Sequence, residues 1–91
     1  MLHYEWDVHK AETNNRKHGI SFADAVSAFS DDDAITIADE HPIEDRYILL
    51  GKDAKYRILV VIYTYRNERI RIISARKATQ IEINAYRKGL E

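Results

Sequence analysis

The stretch Arg66-Asn67-Glu68-Arg69-Ile70-Arg71-Ile72-Ile73-Ser74-Ala75-Arg76-Lys77 decides how this chain folds. Arg69, Arg71 and Ile73 alternate with Ile70, Ile72 and Ser74, the period of an extended strand with two unlike faces. Upstream, Ile58 to Tyr63 is an unbroken apolar run, which predicts a central strand covered on both sides. A tight turn at Asn67-Glu68 sets Arg66 opposite Arg69 and Thr64 opposite Arg71, so the arginines share a face. Ile62 and Val60 then continue that face toward Ile73 and Ala75, making it apolar at one end and cationic at the other. Arg76 has the opposite parity, where the strand gives way to a helix. Like charges across a strand pair destabilise it, so the cluster favours an anionic ligand. For any one arginine, solvation or pairing with a carboxylate of the chain is an equally good account.

Outward from this hairpin, Arg46 to Lys52 and Ala34 to Ala38 read as further strands, separated by a turn at Asp39-Glu40-His41-Pro42. Leu2, Tyr4 and Trp6 alternate with polar residues as a short first strand. Asp7 is placed as the N-cap of a helix from Val8 to about His18, stopped by Gly19. Its apolar stripe is little more than Val8 and Ala11, leaving Lys10, Asn14, Lys17 and His18 to solvation or to function. Ser21 caps a second helix, residues 22 to 29, with Phe22, Ala25, Val26 and Phe29 on its packing face. After Arg76, Ala78, Ile81 and Ala85 mark one face of a last helix reaching Gly89. The elements give a β-α-α-β-β-β-α order, an α+β fold with an antiparallel sheet and one domain over residues 1–91.

The charge is divided along the chain. Net charge is only -1, yet residues 1 to 54 hold five Lys or Arg against twelve Asp or Glu, while residues 55 to 91 hold nine against three. A cationic surface for a polyanion or an acidic partner follows. Without cysteine there is no disulfide, thiol nucleophile or thiolate metal site, and a reducing cytoplasm suits the chain. The start of the chain lacks a signal-peptide pattern, and no apolar run is long enough to span a membrane. The glycines, Gly19, Gly51 and Gly89, form no phosphate loop, so no nucleotide cofactor is expected. The four histidines lack metal-ligand spacing, and Asp31 to Asp33 read as a solvated loop, so no metal is expected either. The remaining arginines, lysines, histidines and tyrosines suffice to cleave RNA. The ribose 2′-hydroxyl is its own nucleophile, and the protein need only move protons and stabilise a phosphorane.

Trp6-Asp7, Lys10, Asn14, Lys17-His18-Gly19, Phe22 and Ala25, then Glu44 and Arg46, then the run Ile70 to Ala78, closely resemble the BrnT toxin family. The resemblance covers nearly the whole chain. It implies a compact RelE-like fold and a ribonuclease toxin of a type II toxin-antitoxin module that shuts down translation. It also implies a DNA-binding antitoxin, BrnA, which neutralises the toxin and carries the complex to its own operator DNA. Many relatives have an acidic residue where this chain has Tyr65. Two readings stand at this point. One is an RNA endonuclease with Arg46, Arg66, Arg71 and Arg76 around the scissile phosphate, Lys17 or His18 as proton donor, and Lys10, Asn14 and Lys77 on the RNA. The other is a non-catalytic module whose arginine face docks a nucleic-acid backbone or an acidic partner.

Overall fold

The hairpin forms as its sequence requires. In a computed structural model that describes residues 3–89, Asn67 and Glu68 both take left-handed backbone angles, φ 51° and 64°. That pair of angles matches the twist of a two-residue hairpin. The flanking strands are β4 (Ile58–Arg66) and β5 (Arg69–Lys77). Arg66 pairs with Arg69 and Thr64 with Arg71, in the expected register.

Beyond this end the register departs from simple alternation. Tyr63 pairs with Ile72 but Ile62 pairs with Ser74, so Ile73 is an extra residue, a β-bulge. The expected continuation of the arginine face through Ile73 and Ala75 is therefore incorrect. Ala75 opposes Val61 and is fully buried, while Ser74 and Arg76 take the outer positions. The bulge reverses parity and returns Arg76 to the face of Arg69 and Arg71. Lys77, opposite Leu59, moves to the other face.

The remaining elements are β1 (Tyr4–Glu5), α1 (Val8–His18), α2 (Phe22–Ser27) with a 3-10 turn at Ala28–Ser30, β2 (Ile35–Asp39), β3 (Arg46–Lys52) and α3 (Gln80–Lys88). The elements follow the expected succession, with four strands between α2 and α3, one more than the expected string counts. The sheet runs β1-β5-β4-β3-β2, with β4 at its centre. It is mixed rather than wholly antiparallel, because β1 lies parallel to β5, Tyr4 beside Ile70 and Glu5 beside Arg71. The intervening helices supply the crossover that a parallel pair requires. Leu2, expected on β1, lies outside the described residues.

Leu59, Val61, Tyr63, Ile70, Ile72 and Ala75 form one face of the sheet and bury against Ile20, Phe22, Ala25 and Ala28. The caps fall where expected: Asp7 and Ser21 accept the amide protons of Lys10 and Asp24, and Gly19 closes α1 at φ 70°.

Three packing expectations fail for identifiable reasons. In α1, Ala11 packs against the core as expected but Val8 is exposed, and the one buried residue is polar Asn14, because this helix docks largely by hydrogen bonds. In α3, Ile81 and Ala85 are exposed, whereas Tyr86 is buried and Glu82 and Ile83 half-buried. Polar anchors turn that helix. The Tyr86 hydroxyl donates to Asp31 at 2.6 Å, and burial together with that carboxylate pushes its pKa up to about 12. Asp31 is accordingly not a solvated loop residue, since it also accepts the amides of Asp33 and Lys52.

Candidate functional site

Five arginines stand on the outer sheet face, and among the described residues all but Arg69 have a carboxylate within ion-pair distance. Arg71 Nη1 donates to Glu5 at 2.9 Å. Arg76 is forked onto Glu82, Nη1 to Oε1 at 2.8 Å and Nη2 to Oε2 at 2.9 Å. Glu82 Oε1 also accepts the Thr79 amide, completing a capping box at the start of α3. The Arg76 hydrogen bonds, above all, hold the Glu82 carboxyl down at about 2. This end-on fork uses only part of the guanidinium. Its side edge, Nε–H with the outer proton of Nη2, has no partner among the described residues, so Arg76 can hold Glu82 and still present two parallel donors to an oxyanion.

On the flank of β5 the first helix supplies a second set of cations. β1 covers only Ile70 and Arg71, which leaves the polar backbone further along β5 in need of partners. Asn14 meets that need at Ala75: its Oδ1 accepts from the amide at 3.1 Å, and its Nδ2 donates to the carbonyl at 2.8 Å and to Ile20 O at 3.0 Å. Around this anchor lies a groove of about 330 Å³, walled by His9, Lys10, Thr13, Lys17 and His18 of α1 and by Ile73 and Ser74 at the bulge. None of its lysines or histidines has a carboxylate partner among the described residues. Arg16, Lys17 and His18 also sit in the last turn of α1, where positive charge complements the helix dipole. Arg76 follows Ser74 by two residues on the same face, about 7 Å along the strand.

Residues 6–82 match the family described as ribonuclease toxin, BrnT, of type II toxin-antitoxin systems. The chain belongs to the BrnT family. The crystal structure of the Brucella abortus ribonuclease toxin BrnT is similar to it, with a TM-score of 0.66 and 26% identity, covering 88% of this chain and 100% of that one. No curated protein gives a significant match. Membership in the BrnT family makes the chain a type II ribonuclease toxin, with RNA as its target and an antitoxin as its partner. Among the described residues, no three His, Asp or Glu side chains are grouped to hold a metal ion, and no helix is long and apolar enough to cross a membrane.

In this BrnT-family chain the expected constellation separates into parts. Lys10, Lys17 and His18 come together in the groove, whose β5 wall ends at Ser74, two residues before Arg76. Asn14 is committed to backbone and has no spare amide proton for a ligand. Arg46 and Arg66 sit elsewhere, sharing Glu44 at 3.9 and 3.3 Å. From the pairing of Val60 with Arg76 and of Tyr47 with Tyr63, Arg46 lies about 13 Å from Arg76 along the strand direction and two strands across, and Arg66 about 20 Å along and one strand across. Tyr65 is on the opposite face, in an aromatic cluster with Tyr47 and Tyr63. Sequence reading overlooked Glu82, Ser74, His9 and Thr13. The Thr79-x-x-Glu82 capping box was a readable signal for the first. The recurrence of Lys10, Thr13, Asn14 and Lys17 at helical spacing was one for the groove.

Proposed function

We propose that the chain cleaves RNA at a phosphodiester held between the α1 groove and Arg76. The observation that carries this is a groove at the Ile73 bulge lined by unpaired lysine and histidine side chains, with Arg76, whose guanidinium has a side edge open, two residues beyond its Ser74 wall. The 2′-hydroxyl yields its proton to solvent as its oxygen attacks the neighbouring phosphorus, the bond to the 5′-oxygen breaks, and the products are a 2′,3′-cyclic phosphate and a 5′-hydroxyl. Lys17 or His18 protonates the departing oxygen, and Arg76 stabilises the charge that gathers on the non-bridging oxygens. Arg71 and Lys10 hold the strand on either side. The nucleophile belongs to the substrate, so no metal is required. In the cytoplasm this cleavage stops translation, and a BrnA-like antitoxin reverses it by covering the cationic surface. Operator DNA is reached only through that antitoxin.

Purified RNA incubated with the protein in EDTA tests the chemistry. Cyclic-phosphate ends are expected, and strict dependence on Mg²⁺ would overturn the mechanism. Antitoxin affinity should fall as salt is raised if charge dominates the contact. An affinity that is indifferent to salt would replace electrostatic capping with steric capping.

A further inference from the structure

The carboxylate partners of the outer-face arginines are not equivalent. Glu5 and Glu82 each serve one guanidinium at 2.8 to 2.9 Å. Glu44 is divided between two, reaching Arg66 Nη2 at 3.3 Å and Arg46 Nε at only 3.9 Å. The longer separation is no hydrogen bond. Arg46 Nε is in fact a buried donor without an acceptor, a condition that native structures seldom tolerate without a ligand or water to relieve it. Two guanidiniums therefore share one loosely held carboxylate, with a net positive charge and a donor to spare.

We propose that Arg46 and Arg66 form a second phosphate subsite, which binds a flanking nucleotide of the RNA that is cut beside Arg76. The inference rests on the cleavage reading above and extends it. The surface between the two places suits a single strand. Ile37 pairs with Ile48, Ile48 with Ile62 and Ile62 with Ser74, so a row of isoleucines crosses the same outer face toward the groove. Ile37 is 57% exposed. Apolar side chains between two cationic points fit ribose and base lying flat between two phosphates. The separation from Arg76 to Arg46, about 13 Å along the strands and about 10 Å across two of them, spans more than one phosphodiester unit, so the second site belongs to a flanking nucleotide rather than to the reacting one. When that phosphate arrives, Glu44 swings aside or remains on one arginine, and the orphan Nε–H gains its acceptor.

The test is equilibrium binding of uncleavable 2′-O-methyl oligonucleotides, so failure of cleavage and failure of the subsite are separate results. Wild type, Arg46→Ala/Arg66→Ala and Arg46→Lys are compared with a dinucleotide and a hexanucleotide, after thermal melts establish that each variant is folded. The double alanine variant is expected to bind the hexanucleotide about tenfold more weakly. Its log-affinity against log-salt slope should be shallower by about 0.7 for each lost phosphate contact. The dinucleotide, too short to span both places, should change less than twofold. Arg46→Lys, which keeps charge but loses the fork, should fall between wild type and the double variant. Equal loss for both lengths, or an unchanged hexanucleotide slope, would overturn the subsite. So would variants that keep their RNA affinity and lose only antitoxin affinity, an outcome that assigns these arginines to a partner carboxylate.

Discussion

The cations of α1 and the arginines of the outer sheet face look alike as a list of basic residues, yet they differ in availability. Lys10, Lys17, His9 and His18 line a groove and make no ion pair among the described residues, whereas Arg46, Arg66, Arg71 and Arg76 share three glutamates. A residue type predicts charge, but only its neighbours decide whether that charge is free. Partly exposed ion pairs contribute about 0–1 kcal/mol, whereas hydrogen bonds to charged groups contribute about 1.5–3 kcal/mol. The glutamates on the arginine face are thus a resting arrangement that RNA can displace or share, while the groove is ready as it stands.

Asn14 offers the hardest way to break this contrast, since it joins the groove to the sheet. Asn14→Ala removes three hydrogen bonds to backbone at about 1 kcal/mol each, for a loss of about 3 kcal/mol. Its melting temperature should drop by more than about 10 °C, and a variant melting with wild type would show that α1 is held by something else. Arg76→Lys addresses the chemistry. Lysine supplies a point charge in place of two parallel donors, so single-turnover cleavage should slow on the order of 10²-fold while the melt is preserved. Parent-rate cleavage by this variant would make Arg76 structural and leave the site to α1.

Glu82→Gln sharpens the comparison through pH. Glutamine also serves at the third position of a capping box, so the helix start is kept while the charge facing Arg76 is lost. The Glu82 pKa is depressed from 4.5 to about 2, so its stabilisation is complete above about pH 4.5 and is lost as pH falls toward 2. The melting-temperature gap between wild type and Glu82→Gln should be open at neutral pH and closed near pH 2. A gap independent of pH would mean that the ion pair is not its source. Arg69→Ala should do least. Exposed beside the turn, Arg69 should change stability by no more than about 0.5 kcal/mol and leave cleavage at the parent rate.

The hairpin, its register at the turn, the helix caps and the central strand were legible because each depends on neighbours in sequence. The bulge was not. Nothing local marks Ile73 as supernumerary; the choice is made where Ala75 meets Asn14, 61 residues away. The buried faces of α1 and α3 were misread for a related reason, since both dock through polar anchors that apolar periodicity does not register. The arginine cluster was visible, but its division was not, because Glu5, Glu44 and Glu82 approach it from three different elements. Lys17, His18 and Arg76 were selected by type and resemblance, and the groove brings the first two to the flank of the third.

The odd residue in β5 acts as a phase shift. Before it, even-numbered side chains face the interior, as Ile70 and Ile72 do; after it the odd-numbered ones do, as Ala75 does. Deleting the single codon for Ile73 would restore uniform alternation and leave Ser74, Ala75 and Arg76 on their present faces, whereas keeping Ile73 and pairing it with Ile62 would swing Arg76 inward and turn Ala75 toward solvent. A register slip of one residue, rather than the loss of one, would thus place a charge in the core. An alignment that slides a gap across position 73 would compare residues on opposite sides of the sheet.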